Sequence, residues 1–144
     1  GDYRKLDVWV RAHRLTLDVY KSTQSFLREE VYGLTSQLRR AASSIPANIA
    51  EGCGRQSDAE LARFINIALG SATELDYHLM LARDLAYLEP QHYDYLAPEV
   101  QGVSRMLASF GGKLRRDGKQ FVETIAERQK PEARSQKSVA NSQW

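Results

Sequence analysis

A chain of 144 residues, 42% apolar and 26% charged, has the size and balance of one domain with a buried core, which excludes a disordered or collagen-like polymer. A net charge of +2 excludes a strong overall attraction for polyanions. From Gly118 onward five Lys or Arg accompany three Glu, so residues 1–117 hold fifteen charges of each sign, and any basic surface there comes from clustering.

No apolar run is long enough to cross a membrane, and the opening GDYRKLDVW lacks the apolar segment of a secretion signal. The single cysteine, Cys53, excludes an internal disulfide. It fits a reducing compartment, so a cytoplasmic protein with no membrane contact is expected.

Apolar spacing of three and four residues predicts four helices in turn. The first runs over about 4–29. Leu6, Val10, His13, Leu17, Tyr20, Gln24 and Leu27 form its main face, and Val8, Ala12, Leu15, Val19 and Phe26 form a second stripe. Gly33 marks a turn. The second helix runs from Leu34 to Cys53 and stops at Gly52 and Gly54. Ser57 followed by Glu60 is a capping box opening the third helix. Its stripe is Leu61, Ile65, Ala68, Ala72, Leu75, Leu79, Ala82 and Ala86, with Phe64, Ser71, His78, Leu81, Leu85 and Leu88 beside it. Glu89 and Pro90 close that helix. Tyr93, Leu96, Val100, Val103, Leu107, Phe110 and Leu114 make the fourth face, with Pro98 bending or delaying its start. Phe121, Val122 and Ile125 could add a turn, but residues 118–144 read as a polar, disordered tail beyond a 1–117 domain.

No strand-like alternation of useful length appears. Four amphipathic helices on short loops predict an all-α fold, an antiparallel up-down-up-down four-helix bundle. The second stripes on the first and third helices exceed what one such core covers, so they are expected at a subunit interface.

Pro46 stands mid-helix, where it removes a backbone hydrogen bond. The apolar phase continues to Ile49 and Cys53, and the residues before it, 41–44, are small. A kink that does not break the helix is expected. Gly70, mid-helix in the third element, suggests a close backbone approach there. Asn48, Glu51, Arg55, Ser71 and Glu74 are expected to form a structural polar network with Arg55 between two glutamates. A carboxylate metal site would need a second Glu/His set, and Glu74 with His78 stands alone. No metal, no cofactor and no catalytic residue is expected, for neither a phosphate loop nor a nucleophile motif is present.

The stretch LTSQLRRAASSIPANIAEGCGR at 34–55, with LDVWVRAHRLTLDVY at 6–20 and RFINIALGSATEL at 63–75, resembles the 23S ribosomal RNA intervening-sequence protein family. The similarity spans roughly Tyr3 to Leu114, and Ser44 to Gly52 is its most specific part. The resemblance implies a four-helix bundle that closes as a ring-like homopentamer. It also implies a gene context in insertions within bacterial 23S rRNA genes. The family includes accessory proteins of diversity-generating retroelements, which are basic and bind nucleic acid and reverse transcriptase; here residues 1–117 are neutral.

Two non-enzymatic functions follow as expectations. One is an oligomeric module binding RNA or DNA, with Arg4, Lys5, Arg11, Arg14, Arg39, Arg40, Arg115 and Arg116 as candidate contacts. The other is a scaffold that engages another protein through its helix faces.

Overall fold

The structure, a computed structural model, describes residues 1–129. A 3-10 turn at Tyr3–Lys5 leads into α1 (Asp7–Thr23), α2 (Leu34–Cys53), α3 (Asp58–Asp84) and α4 (Pro90–Arg128), with no strand among the described residues. The expected all-α four-helix bundle is what forms. Thr16 meets Ala42, Ser44 meets Ser71, Ile65 lies beside Gly111, and Arg11 meets Glu99. In each helix pair one residue number falls as the other rises, so successive helices run antiparallel and α1 closes the square against α4.

The core is aliphatic and dense. Leu15, Val19, Leu38, Ile45, Ile49, Ile65, Leu75, Leu79, Leu96, Val100, Val103 and Leu107 are at most 2% exposed. Each such side chain stabilises by about 1.5–3 kcal/mol relative to an exposed one. Alanines at 12, 42, 68, 72 and 82, also buried, let the helices approach between these layers.

The bounds of α2 and the start of α3 agree with the sequence pattern. Ser57 Oγ accepts from Glu60 N at 3.1 Å, the serine half of the capping box. The other bounds differ. α1 stops at Thr23, whose hydroxyl donates back to Val19 O at 2.9 Å and competes with continued helix. The chain then turns through Phe26, which packs near the Tyr87 ring, and a 3-10 turn at Arg28–Glu30. Glu30 Oε2 caps α2 by accepting from Leu34 N at 3.0 Å. The same carboxylate accepts from Tyr87 and raises its phenol above the usual range.

Pro90 opens α4 instead of closing α3. Its missing N–H costs nothing at a first helical position. The helix passes through Pro98 without delay, and it outlasts the Leu114 face to reach Arg128. Residues 118–128, read from sequence as tail, are therefore helical. The rest of that expected tail, residues 130–144 with Trp144, lies outside the described residues.

The two stripes of α1 are the reverse of their expected roles. Val8, Ala12, Leu15 and Val19 are core, joined by Thr16 and Thr23. Val10, Leu17 and Tyr20 of the presumed main face are 39–48% exposed, and Leu27 is 55% exposed. Val19 is thus a bundle residue and not an interface residue.

α3 ends in a Schellman motif. Tyr87 N donates to Ala82 O at 2.9 Å, and Ala86 N to Arg83 O at 2.9 Å. The left-handed position is held by Ala86, at φ 61°, where glycine is the usual choice. Ala86→Gly should therefore stabilise the protein by about 0.5–1 kcal/mol, relief of the Cβ clash outweighing the looser unfolded chain. A melting curve should move up by a few degrees. A lower melting temperature would contradict the left-handed assignment.

Candidate nucleic-acid interface and outer helix faces

Pro46 lies within unbroken α2 and is buried. Having no N–H, it leaves the carbonyl of Ala42 without its intrahelical partner. Thr16 Oγ1 of α1 lies 3.1 Å from that carbonyl and 2.9 Å from Ala12 O, and its one proton serves either. The helix keeps its proline because a neighbouring helix supplies the lost donor.

The five residues expected as one polar network separate into parts. Ser44 Oγ and Ser71 Oγ share a hydrogen bond of 2.8 Å between α2 and α3. Asn48 Nδ2 donates to Ser44 O and Ser44 Oγ at 2.8 and 2.9 Å. Glu51 and Arg55 form a separate pair at 2.8 Å on the exposed face of α2 and its end. Such a pair contributes about 0.3–0.5 kcal/mol. Arg55 also lies over the Phe64 ring at 5.0 Å. Glu74 faces outward on α3 with His78 Nδ1 4.0 Å away, so Arg55 does not sit between two glutamates. Among the described residues no group of three His, Cys, Asp or Glu could hold a metal ion. Burial pushes the Cys53 thiol up, which suits a packing role over a reactive one.

The close helix approach falls at Gly52, not Gly70. A Cβ on Gly52 would lie 2.8 Å from Phe64 Cβ and 2.9 Å from Leu61 Cδ1. A Cβ on Gly70 would meet nothing within 4 Å.

The eight basic candidates occupy three places. The antiparallel order brings the start of α1 and the end of α4 to one end of the bundle. A shallow cleft of about 490 Å³ between Leu6–Val8 and Arg105–Lys113 marks that junction. Arg4, Lys5, Arg115 and Arg116 all lie exposed at this end. Among the described residues, only Arg4 of these has a carboxylate partner, Asp2 at 4.0 Å. Arg39 and Arg40 lie at the opposite end. Arg39 is held there by Thr23 Oγ1 at 2.9 Å, Tyr20 O at 3.3 Å and the Tyr20 ring at 4.7 Å. Arg11 and Arg14 sit midway. Arg11 is paired with Glu99 at 2.9 Å across α1 and α4, with Met106 Sδ at 3.8 Å. That pairing removes it from the free cations.

Near the basic end, α3's first turns and α4's last turns enclose a groove of about 1160 Å³. Ala59, Ala62, Leu114 and Val122 line its floor, and Arg63, Arg115 and Lys119 stand at its rim with Asp58 and Asp117. Sequence reasoning missed this groove because it needs α4 to extend past Leu114.

The family model described as 23S rRNA-intervening sequence protein matches residues 4–109. This chain belongs to that family. A search of the curated proteins finds no match. Among solved structures it is similar to a crystal structure from the S23 ribosomal protein family, a protein with unknown function from Bacteroides thetaiotaomicron. The two share 26% identity and a TM-score of 0.64, over 71% of this chain and 95% of that one. The 23S rRNA-intervening sequence match includes Arg4, Lys5, the Pro46 stretch and Gly70, but ends before Arg115, Arg116 and the outer turns of α4.

Proposed function

We propose that this member of the family is a non-catalytic, self-associating four-helix bundle, a homopentamer, that binds RNA or DNA through the end that bears Arg4, Lys5, Arg115 and Arg116. The observation that supports the binding half is that all four lie exposed at one end of the bundle, Arg4 and Lys5 on the turn against α1 and α2 and Arg115 on the α3 side of α4. A near-neutral chain gathers four exposed cations at one end, three of them without a carboxylate partner among the described residues. Association repeats that cluster around a ring and multiplies a modest local attraction. The subunit number five rests on the family resemblance.

A gel shift with a structured RNA at rising salt tests the reading. Affinity should fall steeply between 50 and 200 mM salt, as counterion release requires. The double variant Arg115→Gln, Arg116→Gln should bind more weakly and lower the log-log salt slope by about 2. No shift at low salt, or a slope unchanged in the variant, would refute binding at this end. The competing reading, a protein-interaction scaffold, draws on the apolar groove between α3 and α4. It predicts no RNA shift at any salt concentration.

A further inference from the structure

The groove between the first turns of α3 and the outer turns of α4 is a trough and not a pocket for one small molecule. Its volume of about 1160 Å³ exceeds the usual range of about 300–1,000 Å³ for such pockets. Its floor of Ala59, Ala62, Leu114 and Val122 is apolar, and Val122 is 65% exposed. A trough between two antiparallel helices suits a length of chain that lays apolar side chains along it. The α4 wall, from Leu114 to Val122, lies beyond the residues that the family model matches.

The chain itself supplies such a segment. α4 stops at Arg128, and Pro131 follows soon after, where it cannot continue the helix. Val139 and Trp144 are the only large apolar side chains in 130–144, and Trp144 is the only aromatic one. The way back is short. Leu114 lies fourteen residues before Arg128, about 21 Å along α4. The thirteen steps from Pro131 to Trp144 span about 20 Å as a helix and about 43 Å extended. Trp144 therefore reaches the groove in any conformation between these limits.

Charge permits this contact without driving it. The rim carries Asp58 and Asp117 with Arg63, Arg115 and Lys119, and none of these makes an ion pair among the described residues. The segment carries Glu132 with Lys130, Arg134 and Lys137. Both sides have a cationic excess, so the apolar floor supplies the attraction. The two rim carboxylates offer partners to Arg134 and Lys137, and the rim arginines flank the floor where an indole face can take a cation.

We propose that residues 130–144 fold back along α4 of their own chain and seat the Trp144 indole on the groove floor at Ala62 and Leu114. Tethering holds the segment at an effective concentration of roughly millimolar order, so one aromatic anchor suffices. The contact is independent of nucleic-acid binding, and it gives the groove an internal occupant in place of a separate protein.

Two experiments on the full chain test this. With Trp9→Phe, Trp144 is the one tryptophan. Its quenching by acrylamide should be at least threefold weaker in the native chain than in the same chain in denaturant. Val122→Glu, at an exposed position, should keep the helicity and restore the quenching. Native quenching as strong as in denaturant, or protection that survives Val122→Glu, would overturn the proposal. In a Cys53→Ser background, Ala59→Cys with Ser142→Cys should oxidise to a disulfide within one chain. It should do so at least tenfold faster than Thr73→Cys with Ser142→Cys, both α3 positions being exposed. Equal rates would overturn the docking, and disulfide-linked dimers in place of the single-chain product would put the segment on a second copy and overturn it too.

Discussion

Val19→Glu should unfold the bundle. Val19 is fully buried in the core, and the sequence pattern had placed it in an intersubunit stripe. A glutamate there has no cation within the core to pair with, so its burial costs well over 4 kcal/mol, among the largest single-residue effects. A domain of this size has about 5–15 kcal/mol of stability in total. Circular dichroism should show lost helicity or a collapsed melting transition. A folded monomer with the wild-type melt would mean that Val19 lies at a surface after all. Leu17→Glu, two residues earlier on the 48% exposed ridge, should keep its helicity.

Thr16 and Pro46 should be energetically coupled. Thr16→Val removes the hydroxyl that reaches the Ala42 carbonyl and leaves that buried acceptor unpaired, at a cost of about 1–3 kcal/mol. Pro46→Ala supplies a backbone N–H to the same carbonyl and should stay folded. With alanine at 46, Thr16→Val should cost less, giving a coupling of about 1–2 kcal/mol in a double-mutant cycle by denaturant unfolding. If Thr16→Val costs the same with proline or alanine at 46, the threonine is not serving the carbonyl freed by the proline.

The sequence made α2 and the start of α3 legible because local chemistry sets them. Gly54 caps the end of one helix, and Ser57 begins the next. The reversal on α1 was not legible, because both stripes are apolar and the outer one carries the larger side chains. What selects the inner stripe is fit. Ala12, Thr16 and Val19 are small or compact enough for α1 to lie against α2. That partner surface is invisible in a single periodic pattern. Gly70 misled for a related reason. A mid-helix glycine need not face a neighbour, and a Cβ on Gly70 would meet nothing within 4 Å. The tie between Thr16 and the Ala42 carbonyl freed by Pro46 spans 26 positions and two helices, beyond the reach of any local pattern. The basic residues were visible one by one. Their grouping at one end became visible only with the antiparallel order and the full length of α4.

The small size of α1 has a kinetic consequence. At 17 residues it is the shortest of the four helices, it packs against α2 and α4 only along its inner side, and its outer ridge is uncovered. Such an element opens by itself at less cost than the whole domain. Its amides should exchange with solvent deuterium before those of α3, whose two long flanks lie between α2 and α4. Any contact that grips the ridge closes that cheapest opening and would be seen as slowed exchange along 7–23.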